Sequence, residues 1–198
     1  MQVTHLWGLY HHPKGEWQQI KQQQQSLLHP LLHVMLLALI PPICGYVASV
    51  YIGWDLGAGD AIKLTSSSAL AIAIAMYFAL LAGVATLTYL IHWMAPTFGA
   101  SPSKVQALEL ACYTATPILM VGVGALLPQL WFLMLIGLAG ITYSVYLLYS
   151  GVPIMMDIPY ERGFIYASSI VTCALVLTVA ILTGSVILWS FGIGPVIS

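Results

Sequence analysis

Residues 69–94 form an apolar run that indicates the class of fold. Residues Ala69–Met94 read ALAIAIAMYFALLAGVATLTYLIHWM and contain no Asp, Glu, Lys or Arg. A helix of about 20 apolar residues is long enough to cross the hydrocarbon core of a bilayer. This stretch is therefore predicted to be a transmembrane helix. Other stretches of similar length and apolar character are predicted to be transmembrane helices as well.

Four other stretches have the same apolar character, and two of them are separated by only Pro128 and Gln129, which predicts a helical hairpin. The composition agrees, because 60% of the residues are hydrophobic and only 6% are charged, whereas soluble domains are about one quarter charged. The predicted fold class is an all-α polytopic membrane protein with a five-span transmembrane domain over residues 31–198. The other four predicted spans are Leu31–Ile52, Val105–Leu127, Leu130–Tyr149 and Phe164–Phe191.

Residues 1–30 differ from the rest of the chain, because they are mostly polar. A cleavable signal peptide needs a basic segment followed at once by an apolar one, so we expect the first span to be an uncleaved anchor. Trp17, Ile20 and Leu28 recur at helical spacing, while glutamines fill the opposite face. This pattern predicts a short amphipathic interfacial helix in the headgroup layer, with Pro30 at the bend into the membrane. The alternative is a helix that docks on a partner.

The few cationic residues predict the orientation of the chain. If the N-terminus is cytoplasmic, only Lys63 lies outside, and this distribution fits the positive-inside rule. The C-terminus of a five-span chain is then outside. The net charge of −1 gives no basic surface of the kind that binds nucleic acid, so the lipid bilayer is the expected partner. The cationic residues on the cytoplasmic side are Lys14, Lys21, Lys104 and Arg162.

The third span carries the most prominent polar residue inside a predicted helix. Glu109 lies about one turn inside this span and is flanked by leucines. Charged residues at membrane depth are costly and often serve a function. The structural alternative is that Glu109 reaches the interface near Lys104, or bonds to a hydroxyl group such as that of Tyr113.

Further polar residues accompany Glu109 in the third and fourth spans. Pro117 removes a backbone hydrogen bond in mid-span, as in the broken helices of transport sites. Tyrosines repeat every three residues along span four and place hydroxyl groups along one drifting stripe. The alternative is that these groups only join the helices by hydrogen bonds. The candidate polar core or pathway consists of Glu109, Tyr113, Thr116, Pro117, Tyr146 and Tyr149.

The break between spans four and five is a second candidate region. Its two prolines and a lone Asp157, set among apolar residues, predict a loop folded back against the bundle. A solvated loop is the alternative. Together with the N-terminal amphipathic helix, this loop is the candidate interaction surface, which consists of Trp17, Ile20, Gly151, Pro153, Asp157, Glu161 and Arg162.

Small residues recur at four-residue spacing along span two. Such residues let helix backbones approach closely in lipid. The pattern predicts packing within the chain or, alternatively, a homodimer seam. The residues are Ala71, Ala75, Ala79 and Gly83.

The sequence shows no signature of an enzyme or of a metal site. Cys44, Cys112 and Cys173 each lie in an apolar run, where a thiol behaves as a small hydrophobic group. His29 and His33 share a helix face, but two ligands do not make a site. No known hydrolase, protease or phosphate-binding motif occurs. We therefore expect no enzymatic activity, no cofactor and no metal.

Several short motifs occur together along the chain and span nearly its whole length. They are Leu6–Leu9, Trp17–Ile20, Ile52–Trp54, Tyr113–Pro117 and Tyr146–Pro153. In combination they resemble the Yip family, in its bacterial inner-membrane, YohC-like branch. The resemblance implies a five-span bundle in the bacterial inner membrane with a cytoplasmic N-terminus. Eukaryotic members are adaptors for small GTPases, but the long cytoplasmic region that precedes their spans has no counterpart here, so GTPase binding is not transferred.

Two hypotheses for the function follow. The first is a non-enzymatic membrane scaffold or adaptor that acts through helix packing, self-association or contacts with other membrane proteins. The second is a small transporter or channel for a cation or small solute, with a pathway lined by Glu109, Tyr113 and Pro117. Transporters usually contain internal repeats, and the five unequal spans show none, which favours the first hypothesis.

Overall fold

The computed structural model describes residues 8, 10–23, 26–55 and 61–190. Five helical segments are long and apolar enough to cross a membrane, which confirms the all-α five-span class. The predicted end of the fifth span, Phe191, lies outside the described residues. The segments are Leu28–Ile52, Ser66–Phe98, Lys104–Leu126, Leu130–Met156 and Tyr160–Gly184. The helices are α1 (Pro13–Gln23), α2 (Leu28–Leu37), α3 (Ile40–Val47), α4 (Ser66–Met94), α5 (Lys104–Val121), α6 (Leu130–Met156) and α7 (Tyr160–Ser190).

The charged residues near the helix ends distinguish the two ends of the bundle. The end that carries Lys21, Lys104, Asp157 and Arg162 is called the charged end. There Lys21 Nζ lies 3.0 Å from Asp157 Oδ1. At the opposite end the α5–α6 turn meets the segment after the first span, where the backbone N–H of Asp55 donates to the carbonyl of Pro128 at 3.0 Å.

The first span is interrupted rather than continuous. Helix α2 ends at Leu37, and α3 begins at Ile40 with Pro41 and Pro42 in its first turn. Proline has a fixed φ and no N–H group, so it suits the start of a helix and breaks the interior of one. The expected break at Pro117 is absent, since α5 continues through that residue.

Helix α5 is the centre of the bundle. In its most apolar window 61% of the residues are buried, compared with 6–28% in the other four spans, and every residue from 107 to 114 is buried. Its start is fixed by a capping box in which Ser103 Oγ accepts from the Gln106 N–H at 3.2 Å and Gln106 Oε1 accepts from the Ser103 N–H at 2.8 Å.

Helix α1 lies alongside α6 and runs parallel to it. Tyr10 stacks on Tyr143 and Trp17 bonds to Ser150, each pair being 133 residues apart. Tyr143 is in the middle of α6 and Ser150 is nearer its end, so the segment from Tyr10 through α1 runs toward the charged end. The predicted amphipathic helix is present, and its apolar face packs into the bundle, where Trp17 and Ile20 are fully buried. The bend into the first span precedes Pro30, which lies inside α2.

The predicted loop between spans four and five is mostly helical. Helix α6 continues to Met156, so Gly151 and Pro153 lie inside it, and only residues 157–159 connect it to α7. Asp157 ends the helix in the left-handed region, at φ 56°. Burial of Val152, Met155 and Met156 against the bundle outweighs the cost of Pro153 in the last helical turns.

Helices α4 and α7 meet at the charged end and diverge beyond it. The Tyr166 hydroxyl donates to the carbonyl of Ile91, and its ring stacks on Phe98 with centroids 4.7 Å apart. Further along α7, from residue 175 to residue 183, every side chain is exposed. The small-residue face of α4, from Ala71 to Gly83, is exposed as well, so its predicted packing against the chain's own helices is wrong.

Candidate functional site

Trp17 anchors α1 to the core of the bundle. Its side chain is fully buried, and its Nε1–H donates to Ser150 Oγ at 3.2 Å. The indole also meets the Tyr113 ring edge to face, with centroids 6.3 Å apart. A Cβ atom on Gly151 would lie 2.7 Å from Trp17 Cε2, so glycine is what makes room for the indole. These four residues, Trp17, Tyr113, Ser150 and Gly151, are called the Trp17 joint.

The Trp17 joint corrects the predicted interaction surface. Trp17, Ile20 and Gly151 are buried inside the molecule, so they do not form a free surface for a partner. Pro153 is half-buried and lies against Gly163, where a Cβ atom would approach its ring to 2.9 Å. The members that remain exposed are Asp157, Glu161 and Arg162.

One face of α5 meets α2 through a polar contact. His33 Nε2 and Thr116 Oγ1 are 2.9 Å apart, and the Thr116 hydroxyl also lies within hydrogen-bond distance of the Cys112 carbonyl, at 3.1 Å. The His33 ring lies 5.1 Å from the Tyr113 ring. From the sequence His33 was notable only for its spacing from His29, and that spacing did not indicate its partner on α5.

Glu109 lies on the same face of α5 as Tyr113 and Thr116, four and seven residues earlier in the helix. Its side chain is 2% exposed, so it does not reach the interface as one alternative supposed. Its Oε1 atom has no hydrogen-bond partner among the described residues. A buried carboxyl oxygen without a hydrogen-bond partner is costly inside a spanning helix.

Of the six residues of the predicted polar core, only Glu109, Tyr113 and Thr116 lie together, on one face of α5. Tyr146 is 48% exposed, and Tyr149 bonds through its hydroxyl to Ser168 Oγ of α7 at 2.8 Å. Pro117 does not join the three residues on α5. It lines a cavity of about 550 Å³ together with Tyr10 and Tyr143. Three residues advance a helix by about 300°, so each tyrosine in the repeat is turned by about 60° from the one before. The stripe therefore does not stay on one face.

The described residues contain no group of three or more His, Cys, Asp or Glu side chains that could hold a metal ion. His29 Nδ1 lies 3.1 Å from Ser26 Oγ and His33 bonds to Thr116. The two histidines thus have different partners. The arrangement offers hydrogen bonding and helix attachment rather than an assembled set of reactive groups.

Comparison with known proteins places the chain in a family. The family model of the Yip1 domain matches residues 7–181. The chain belongs to the Yip1 family. It is 37% identical over 191 residues to the inner membrane protein YohC of Escherichia coli strain K12 and to its counterpart in strain O6:H1, and the alignment covers 96% of this chain and 98% of each relative. No solved structure matches. The match begins before α1, so the docked N-terminal helix is part of the family domain.

Proposed function

We propose that the protein is a scaffold or adaptor of the bacterial inner membrane that binds other proteins and catalyses no reaction. The observation that carries this proposal is the Trp17 joint. It attaches α1 to α6, and Lys21 Nζ at the end of α1 lies 3.0 Å from Asp157 Oδ1 in the α6–α7 turn, so the outer face of α1 lies beside this turn. This surface, called the platform, consists of the exposed residues Gln18, Gln19, Gln22, Asp157, Tyr160, Glu161 and Arg162.

The chemistry of the platform suits a protein partner. Its amides donate and accept hydrogen bonds, and its charges include both signs, so a partner needs polar complementarity more than an apolar groove. Tyr160 is 67% exposed, and tyrosine is one of the residues that most often anchor protein interfaces. A rigid surface also loses less conformational entropy on binding than a mobile segment does.

Photo-cross-linking tests the adaptor proposal. A photoreactive amino acid at Tyr160 or Gln19 should give specific adducts in native membranes, while the same probe at Trp131, which is 62% exposed at the opposite end, serves as the matched control. Gly151→Leu should remove the adducts by displacing α1. Adducts that persist unchanged in Gly151→Leu, or that form equally at Trp131, would contradict the proposal.

The orientation of the platform is part of the same proposal. Supporting it, the charged end carries Lys21, Lys104 and Arg162, and cationic residues favour the cytoplasmic side. In a variant without the native cysteines, Lys63→Cys should react with an impermeant maleimide in intact cells, whereas Gln19→Cys should react only after lysis. The reverse result would place the platform outside.

A second candidate function, transport of a proton or small cation, is favoured by Glu109 alone. Its buried carboxyl oxygen without a partner is the kind of group that binds a cation at membrane depth. Against a continuous pathway, four cavities of 230–550 Å³ among the described helices have no contribution from Glu109 to their walls. Glu109→Gln in proteoliposomes should abolish flux if the protein transports, with Glu161→Gln as control. Equal flux in both variants excludes this role.

A further inference from the structure

A cavity of about 430 Å³ lies between α4, α5, α6 and α7. Four small residues leave this space open where larger ones would fill it. A Cβ atom built on Gly83 meets nothing within 4 Å. The small residues that line it come from three helices and are Ala79, Gly83, Ala115 and Ala174.

The cavity is a cleft that opens sideways to the lipid. At the charged end it is closed by the bond from Tyr166 to the Ile91 carbonyl, and beyond this point α4 and α7 diverge. Two lining residues at its rim, Ile141 and Leu175, are 47% and 60% exposed. Its inner wall is α5, where Leu119 is 2% exposed.

The wall of the cleft has no charged residue and is almost entirely aliphatic. Two of its hydroxyl groups are occupied by their own helices, since Thr114 Oγ1 donates to the Leu110 carbonyl at 2.7 Å and Thr178 Oγ1 donates to the Ala174 carbonyl at 2.8 Å. Ser144 adds one small hydroxyl. A charged or strongly polar occupant would lose its hydration here without compensation.

We propose that the cleft binds one acyl chain of a membrane phospholipid as a fixed part of the fold. This inference goes beyond the adaptor function and does not depend on it. The occupant is an aliphatic chain because the wall is uncharged, the mouth faces the bilayer interior, and the charged end is closed to water. A chain in the cleft gives the inner wall the dispersion contacts that an empty space of this size forfeits. It also joins α4 to α7 where these helices do not meet.

Photolabelling of the full chain in vesicles tests the proposal. The vesicles contain phosphatidylethanolamine and phosphatidylglycerol, with a small fraction of phosphatidylcholine that carries a diazirine in one acyl chain. After irradiation, labelled peptides are mapped by mass spectrometry. The decisive segment is Thr114–Leu119 of α5, because four of its residues line the cleft. Ile118 within it is 42% exposed, so the label is compared between variants. Leu182, which is 61% exposed and outside the lining of the cleft, is the internal standard.

Two glycine substitutions provide the matched comparison. Gly83→Leu fills the cleft, whereas Gly137→Leu adds the same side chain on α6 where nothing lies within 4 Å and outside the lining of the cleft. We expect label on Thr114–Leu119 in the unmodified protein and in Gly137→Leu, and its loss in Gly83→Leu with the label on Leu182 retained. Ala115→Leu, a second filling variant, covers the case that Gly83→Leu fails to fold. Absence of label on α5, or equal label in the filled variants, overturns the proposal.

Discussion

The substitution Gly151→Ala tests the Trp17 joint with the smallest possible change. The added methyl group would lie 2.7 Å from Trp17 Cε2 and 2.7 Å from Leu110 Cδ1. Both distances are shorter than any ordinary carbon–carbon contact. Since Trp17 and Leu110 are both fully buried, neither side chain can move aside without disturbing α1 or α5.

The expected size of the effect follows from two opposing terms. Replacing glycine by alanine inside a helix stabilises the helix by about 1 kcal/mol, and overpacking a close-packed site costs about 1–3 kcal/mol. Gly137→Ala experiences only the first term, because nothing lies within 4 Å of the new Cβ atom. The difference between the two variants isolates the steric term. We therefore expect Gly151→Ala to be less stable than Gly137→Ala by about 1–3 kcal/mol.

The assay is unfolding of the purified protein in mixed micelles by increasing sodium dodecyl sulfate, followed by circular dichroism. The free energies of unfolding of the two variants and of the unmodified protein are compared at the same micelle composition. Tryptophan fluorescence should also report a change of environment for Trp17 in Gly151→Ala only. If both alanine variants were equally stabilised, Trp17 would not lie against Gly151, and the docked position of α1 would be refuted.

Three further predictions concern the ends of the helices, each measured by the same unfolding assay. Tyr166→Phe removes the hydroxyl that bonds to Ile91 and should cost about 1 kcal/mol; no loss would mean that this bond does not hold α7 to α4. Asp157→Gly relieves the left-handed backbone at φ 56° and should stabilise by up to about 1 kcal/mol, since the exposed ion pair with Lys21 contributes less than that; a clear loss would show that the pair matters more. Ser103→Ala removes the cap of α5 and should cost about 1 kcal/mol, and an unchanged stability would place the start of the helix elsewhere.

The five spans could be predicted because the side chains that a helix exposes to lipid must be apolar. Each crossing helix needs a long apolar run, and such runs are visible without any knowledge of tertiary contacts. The interruption of the first span before Pro41 and Pro42 was not predicted. Pro117 was expected to break the third span, but the packed helix α5 continues through it. Pro41 and Pro42 lie instead in the first turn of α3, where a proline cannot continue the preceding helix.

The candidate site was harder to predict because its residues are joined by tertiary contacts. The amphipathic pattern around Trp17 and Ile20 shows that one face is apolar, but it does not distinguish lipid from protein as the surface that covers this face. Gly151 and Pro153 looked like loop residues, since their local preferences oppose a helix. Both residues nevertheless lie inside α6, because burial of their neighbours outweighs these preferences. Gly151 leaves room for the indole of Trp17. The polar contact between His33 and Thr116 joins residues 83 positions apart, which no local pattern reveals.

The parallel alignment of α1 with α6 has a consequence for biogenesis. Trp17 leaves the ribosome 133 residues before Ser150, so three spans enter the membrane before the docking site of α1 exists. Contacts between such distant segments form late in folding. Until then α1 has an apolar face with nothing to cover it, and an amphipathic helix in that state is stable at the membrane surface. The amphipathic pattern therefore suits α1 before α6 is made, and the same apolar face packs on α6 afterwards.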